Sequence, residues 1–136
     1  LGDIESVNAT AMDAKNVGVE DTAKLNFSLK NGTIGTIDVS WASWVTPSAY
    51  LEIYGEDGAL MLDGTGVRVK YKTWTDWKKI PNKSDAAGGF AHQIDHFVEA
   101  IRNNKTTVID AQAGLKAQKV IEAAYRSIER KTRVNV

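Results

Sequence analysis

From Ile4 to Asn82, apolar and polar side chains alternate with a period close to two, and short turn sequences interrupt the alternation. The clearest run covers residues 22–30, where every second side chain is apolar. Because the side chains of a strand point alternately to its two faces, this run predicts a half-buried β-strand. Asn31-Gly32 follows at once, and since both residues accept positive φ, we predict a tight hairpin and a returning strand over residues 33–41.

The same alternation predicts further strands joined mostly by short turns. These strands cover residues 4–14, 50–54, 59–62, 67–73 and 77–80, with turns at residues 55–58 and 63–66. Short connections between neighbouring strands favour an antiparallel arrangement in which consecutive strands pair.

After residue 89 the hydrophobic period becomes that of an α-helix. The first predicted helix has one apolar stripe and ends at Asn103-Asn104; the stripe consists of Phe90, Ile94, Phe97, Val98 and Ile101. A second helix is predicted from the N-cap Asp110 to about Arg130. Its apolar stripe is expected to contain Ala117, Ile121, Ala124, Tyr125 and Ile128, with Val120 at the edge.

Strands that precede helices along the chain predict an α+β fold. We expect an open, mostly antiparallel β-sheet of about six strands with two C-terminal helices packed on one face. The other face is either solvated or stacked on a second copy in an isologous dimer. Its outward positions would be Lys24, Asn26, Ser28, Glu52, Tyr54, Arg68, Lys70, Lys72 and Trp74.

Composition narrows the class of protein. The chain has 136 residues, 17 Lys+Arg, 17 Asp+Glu and no cysteine. The lack of cysteine excludes disulfides, thiolate metal sites and a cysteine nucleophile. A net charge of zero argues against a nucleic-acid partner, and no apolar run has the length of a membrane span. We therefore expect a soluble, cytoplasmic domain, and we interpret the start at Leu1 rather than Met as the mark of a piece of a longer protein, although a tag-cleaved chain would look the same.

Two motifs resemble catalytic or binding patterns without meeting their requirements. His92 and His96 share one helical face, but a metal site needs a third ligand at defined spacing, so no metal is expected. The glycines at 64 and 66 precede a strand pattern, whereas a dinucleotide loop must open a helix.

The tryptophans suggest a ligand site. Trp41 and Trp44 flank the end of the strand over 33–41, and the link that follows is rich in hydroxyl groups. An aromatic ring beside hydroxyl donors suits a sugar or polyol. Trp41 is predicted to be a core residue, whereas Trp44 is open to either role. Trp74 and Trp77 are expected to serve packing or an interface.

Four segments in order resemble the C-terminal domain of the GFO/IDH/MocA oxidoreductases, the glucose-fructose oxidoreductase and inositol dehydrogenase family. They are GTIDVSW at 35–41, LEIYGEDGAL at 51–60, FAHQIDHFVEAI at 90–101 and VIEAAYRS at 120–127. The resemblance extends over residues 1–136. It implies that they form a substrate-binding and oligomerisation domain, and that an N-terminal Rossmann domain lies outside this chain.

The resemblance implies an NAD(P)-dependent enzyme that moves a hydride between nicotinamide and a sugar or polyol. NAD or NADP and the catalytic lysine and histidine would belong to the absent half, so this chain alone is expected to be inactive. By position in the family, Trp44, Thr46 and Ser48 are the expected substrate-binding residues, and a homo-dimer or tetramer through the outer sheet face is expected. The alternative is a stand-alone dimeric sugar-binding or scaffold module without catalysis.

Overall fold

The computed structural model describes residues 1–44, 50–81 and 89–136. Its elements in chain order are β1 (Ile4–Met12), β2 (Thr22–Leu29), β3 (Ile34–Ser40), β4 (Leu51–Gly55), β5 (Gly58–Asp63), β6 (Gly66–Tyr71), β7 (Lys78–Ile80), α1 (Gly89–Arg102), α2 (Ala111–Arg130) and β8 (Val134–Asn135). They fall into two units, one formed by residues 1–44 and 108–136 and the other by residues between 45 and 107.

The first unit contains a four-stranded antiparallel sheet in the order β3-β2-β1-β8. The predicted hairpin joins β2 to β3. Gly32 has a φ of +86° and its N–H donates to the Leu29 carbonyl at 2.9 Å, while the Asn31 side chain accepts from the Thr33 N–H at 3.1 Å. Gly32 therefore has the positive φ that the sequence predicted, whereas Asn31 does not and contributes through its side chain. The Leu29 N–H donates to the Thr33 carbonyl at 2.8 Å, so the loop has three residues rather than the two that the sequence predicted.

Helix α2 packs on β1 and β8 and closes the core of this unit. The buried core consists of Val7, Ala9, Ala123, Ala124 and Val134, with Ile4, Leu25, Phe27, Val120 and Ile128 partly buried around it. The predicted helix stripe was therefore wrong in part, because Ala117, Ile121 and Tyr125 are exposed. The side chains at 123, 124 and 127 are small, so α2 approaches β1 closely along them. The buried face of the helix is therefore centred on these residues, and the larger side chains of the predicted stripe lie outside it.

The ends of both helices agree with the predictions. Asp110 caps α2 by accepting a hydrogen bond from the Ala113 N–H at 2.9 Å. Lys131 ends the same helix in the left-handed region, with a φ of +54°. Asn104, which follows α1, has a φ of +50°, and asparagine is among the few residues that adopt this conformation readily.

The second unit contains the antiparallel sheet β4-β5-β6-β7. One of its faces is apolar, since Ile53, Leu60 and Val69 lie opposite one another in register. The other face carries charged side chains, among them Arg68, which is paired with Asp63. Helix α1 belongs to this unit, and the five apolar side chains of its predicted stripe are exposed.

The fold class is confirmed, as are the antiparallel pairing and the two helices. The strands form two sheets of four, rather than the single sheet of about six that the sequence predicted. Alternation and tight turns reveal which strands form hairpins, but the link between β3 and β4 is longer than a tight turn and gives no such information. The two-residue strand β8 was missed because it is too short to show a period.

Candidate functional site

The segment that leaves β3 carries the predicted ligand residue Trp44. Its side chain is 99% exposed, so the described residues leave both faces of the indole free to stack. Thr46 and Ser48, the other two predicted substrate-binding residues, lie outside the described residues.

Trp41, at the start of this segment, was predicted to be a core residue, and this prediction was wrong. Its side chain is 87% exposed. Trp41 lies one position beyond the end of β3, which is an edge strand of the sheet. Helix α2 packs on β1 and β8, at the opposite edge. The alternating pattern that predicted a buried Trp41 therefore extends to a part of the sheet that α2 does not cover.

A chain of side-chain hydrogen bonds anchors the backbone at this exit. The Ser40 hydroxyl oxygen accepts from the Ala42 and Ser43 N–H groups, at 3.1 and 3.2 Å. It also lies 2.9 Å from the Thr22 hydroxyl oxygen, across the β2–β3 pair. The Thr22 hydroxyl in turn donates to Asp21 at 2.9 Å. We call Lys15, Asp21, Thr22 and Ser40 the exit network.

Asp21 connects the exit network to the loop between β1 and β2. Its carboxylate accepts from the Ala14 N–H at 3.1 Å and the Lys15 N–H at 2.8 Å. Burial alone would raise the pKa of Asp21, but the two amides, the Thr22 hydroxyl and the Lys15 charge together hold it below its ordinary value. The carboxylate is therefore ionised at neutral pH and acts as an acceptor.

The backbone of Trp41 is tied to the same loop at both of its polar groups. Its N–H donates to the Asp21 carbonyl at 2.8 Å, and its carbonyl accepts from the Lys15 ammonium at 2.9 Å. Sequence analysis missed the roles of these loop residues, because Lys15 and Asp21 are separated from Trp41 by 26 and 20 positions along the chain. The hydroxyl residues Thr22 and Ser40 were visible in the sequence, but a two-residue turn at Asn31-Gly32 would place Thr22 opposite Trp41. The observed three-residue loop shifts the register by one residue and places Thr22 opposite Ser40.

A shallow groove of about 400 Å³ lies beside this loop. It is lined by Ala11, Met12, Asp13, Gly18, Val19, Glu20, Tyr125 and Ile128. The Tyr125 hydroxyl donates to Glu20, and this bond lowers the pKa of Glu20 and raises that of Tyr125. The Asp13 carboxylate accepts from the Val17 and Gly18 N–H groups at 2.9 and 2.8 Å. Both carboxylates therefore hold the loop in place.

The histidine pair lies on the surface of helix α1. His92 and His96 are exposed on α1. Over residues 1–44, 50–81 and 89–136, no group of three or more His, Cys, Asp or Glu side chains is placed to hold a metal ion.

The glycine turn at residues 63–66 joins two antiparallel strands and does not fit a dinucleotide. The Asp63 carboxylate accepts from the Thr65 N–H at 2.7 Å, which closes the turn into β6. A dinucleotide loop instead presents its N–H groups to a phosphate at the start of a helix. The described residues around this turn thus form a hairpin and do not fit the nicotinamide cofactor.

Trp74 has packing partners of its own, as the sequence analysis expected. Its ring meets that of Tyr71 edge-on, with the centroids 4.8 Å apart, and the Lys78 ammonium lies 4.0 Å from its centroid on the ring face. This arrangement leaves the exposed Trp44 as the better candidate for stacking on a ligand.

Open antiparallel sheets, two helices and an anchored aromatic exit segment define a mixed α/β domain that presents loop residues from a rigid sheet. The model of the oxidoreductase family's C-terminal alpha/beta domain (GFO/IDH/MocA) matches residues 1–136. The chain therefore belongs to this family, as the four sequence segments indicated. A search of curated proteins finds no match.

Solved structures share the fold at low sequence identity. Levoglucosan dehydrogenase in complex with NADH superposes with a TM-score of 0.88 at 15% identity, over 100% of this chain and 45% of its own. The aldose-aldose oxidoreductase from Caulobacter crescentus, complexed with glycerol, gives 0.83 at 19%, over 99% and 42%. The WlbA dehydrogenase from Bordetella pertussis, in complex with NADH and UDP-GlcNAcA, gives 0.72 at 23%, over 100% and 40%.

This chain thus spans less than half the length of these three structures. Among the described residues, no helix is long and apolar enough to cross a bilayer.

Proposed function

We propose that this chain is the substrate-binding and oligomerisation domain of an NAD(P)-dependent oxidoreductase that transfers a hydride between nicotinamide and a sugar or polyol. The observation that carries the proposal is the match of residues 1–136 to the C-terminal domain of the family. Complexes of the similar structures with NADH, glycerol, levoglucosan and UDP-GlcNAcA support this choice of cofactor and substrate class.

Within this proposal Trp44 stacks on the substrate. A sugar or polyol presents apolar C–H faces beside its hydroxyl groups, and an exposed indole ring matches such a face. Trp44 meets this requirement, since its ring is free and the backbone before it is anchored by hydrogen bonds. Thr46 and Ser48 follow it in the sequence and would supply hydroxyl groups to the same ligand.

The chemistry is divided between this chain and the rest of the proposed enzyme. The nicotinamide cofactor would accept or donate the hydride, and we assign its binding to a Rossmann domain outside this chain. The glycine turn at residues 63–66, which joins two strands instead of opening a helix, supports this assignment. This chain positions the carbon that reacts by holding the rest of the sugar or polyol, so that its contribution is orientation. The isolated 136-residue chain is accordingly expected to show no turnover.

The test is to replace Trp44 in the natural protein that carries this chain. Initial rates with NAD⁺ and NADP⁺ and a panel of inositols, aldoses and levoglucosan first identify the substrate. Trp44→Ala should then raise KM for that substrate by about three- to tenfold, the size of a lost aromatic contact. Trp44→Phe keeps a ring and should recover most of the affinity.

Trp77→Ala is the matched control, because it removes an indole from the link before β7. It should leave KM for the substrate unchanged. Unaltered kinetics in Trp44→Ala would return this residue to a packing role. Turnover by the 136-residue chain alone, or no turnover by the natural protein with any member of the panel, would contradict the proposed function itself.

A further inference from the structure

We propose that Ser40, Thr22 and Asp21 are positioning residues that fix the direction in which the chain leaves β3 and thereby aim Trp44 at its ligand. The inference rests on the proposed function, since it assigns these residues a role through Trp44. None of the three was a candidate site residue in the sequence, and their role follows from hydrogen bonds between neighbouring strands.

The direction of the hydrogen bonds is determined by the carboxylate at one end. An ionised carboxylate only accepts, and each hydroxyl has a single proton to donate. Thr22 gives its proton to Asp21, so the bond between the two hydroxyls must use the proton of Ser40. Both lone pairs of Ser40 are then left to accept the Ala42 and Ser43 N–H groups. Every donor and acceptor of this hydroxyl is satisfied, and each bond polarises the next.

The result is a backbone that is fixed over three consecutive residues. Trp41 is held at its N–H by the Asp21 carbonyl and at its carbonyl by Lys15. The N–H groups of Ala42 and Ser43 both converge on the Ser40 oxygen. The next residue is Trp44, whose side chain is 99% exposed.

A fixed backbone beside a free ring is the arrangement that favours binding. A loop that is already in its bound conformation loses less entropy when a ligand arrives, and this saving appears as affinity. Ser40 and Lys15 are exposed, and exposed polar groups contribute little to the free energy of unfolding. The exit network therefore acts mainly on the geometry of the segment.

The test uses Ser40→Ala, which deletes the shared acceptor, and Ser40→Thr, which keeps it. Ser28→Ala is the matched control. It also removes a hydroxyl–hydroxyl hydrogen bond of β2, the one between Ser28 and Ser6 at 2.7 Å, but at the end of the strand away from Thr22. Amide hydrogen exchange on the 136-residue chain reports the Ala42 and Ser43 N–H groups directly. Steady-state kinetics on the natural protein report KM and kcat for its substrate.

Ser40→Ala should speed exchange at Ala42 and Ser43 by about two- to tenfold, as the loss of a hydrogen bond predicts. It should raise KM for the substrate by a similar factor while leaving kcat and the KM for the cofactor unchanged. Ser40→Thr should restore both exchange and KM, and Ser28→Ala should alter neither. A general loss of stability would not change KM alone while leaving kcat unchanged. It would also not be specific to Ser40, so Ser28→Ala would show it as well.

Three outcomes would overturn the inference. Unchanged exchange in Ser40→Ala would show that the hydroxyl does not hold the segment. Faster exchange with an unchanged KM, in a protein where Trp44→Ala raises KM, would refute the positioning role and leave the proposed function standing. An unchanged KM in Trp44→Ala would refute the proposed site, and the inference would fail with it.

Discussion

Ser127 shows how one side chain completes a sheet. In the register of β1 with β8, Val7 faces Val134, and β8 extends no further toward Ala9. The Ser127 hydroxyl accepts from the Ala9 N–H at 3.0 Å and donates to the Thr132 carbonyl. It therefore bridges two backbone groups at the point where the direct strand pairing stops. Its side chain is fully buried, so no water can replace it.

Ser127→Ala should lower the free energy of unfolding by about 1–3 kcal/mol, because it leaves the buried Ala9 N–H without an acceptor. Urea unfolding followed by circular dichroism measures the change. Gln118→Ala, an exposed substitution on the same helix, should shift stability by less than about 0.5 kcal/mol. A Ser127→Ala protein as stable as the wild type would mean that Ala9 finds another partner.

At the scale of an element, the loop between β1 and β2 owes its shape to two carboxylates. Asp13 binds the N–H groups of Val17 and Gly18, and Asp21 binds those of Ala14 and Lys15. Four backbone donors that lack a strand partner are satisfied in this way. The shape of the loop therefore depends on ionised aspartate.

Acidification should weaken this loop through Asp21. Its pKa in the folded chain lies below the value of about 3.9 for an unfolded chain. The stabilisation is therefore complete above the unfolded pKa and is lost as the pH falls through the folded pKa. Thermal unfolding between pH 7 and pH 2.5 should show a smaller fall in Tm for Asp21→Asn than for the wild type.

Asp76→Asn removes an exposed carboxylate in the link before β7 and should reproduce the wild-type pH profile. Parallel profiles for Asp21→Asn and the wild type would contradict the role given to Asp21. Asp3, Glu20 and Asp63 also have lowered pKa values, so only the difference between variants isolates this residue.

The elements themselves were largely predictable because their signals are local. Asp110 was identified as the N-cap from its type and position, and the turn at Asn31-Gly32 from residues that accept positive φ, although only Gly32 adopts it. The buried face of α2 was predicted less well, since Ser127 counts as polar in any hydrophobic pattern yet is fully buried. Its burial depends on a backbone donor 118 positions away, which a local pattern does not contain.

Of the three substrate-binding residues predicted from the sequence, only Trp44 lies among the described residues. Trp44 was identified from its type and its place after a strand, and its exposure agrees with a binding role. The residues that hold the segment belong to β2 and to the preceding loop. Their connection to Trp44 needs the exact strand register together with the side-chain geometry. The sequence pattern supplies neither, since the predicted two-residue turn would have paired Thr22 with Trp41 rather than Ser40.

At the scale of the whole molecule, many outward polar side chains of the sheets are already paired. Lys24 binds Asp38 at 2.9 Å and Lys72 binds Asp57 at 2.6 Å. These pairs are exposed and contribute little to stability. Because these charges are already paired, burying the charged faces against another copy costs less desolvation free energy. This is consistent with the proposed oligomerisation role.

Lys70→Glu should weaken association of the protein, measured by sedimentation equilibrium, by about tenfold in Kd. A two-fold interface brings the same residue in from both copies, so one substitution acts twice. The carboxylate also replaces a long stem that can cover apolar surface. Lys119→Glu makes the same charge change on the exposed side of α2 and should leave Kd unaltered. A wild-type monomer at high concentration, or an unaffected dimer in Lys70→Glu, would contradict the proposed interface.

The pairing of β1 with β8 also constrains how the first unit assembles. Val136 donates to the Glu5 carbonyl at 3.0 Å, which extends the hydrogen bonding between β1 and the segment of β8. Closing so long a loop costs entropy before the contact returns any energy. During synthesis on the ribosome, one edge of β1 therefore stays unpaired until α2 and β8 have been made. During that interval the edge is open to strands of other chains, and a chaperone that covers exposed strands would protect the protein most at this stage.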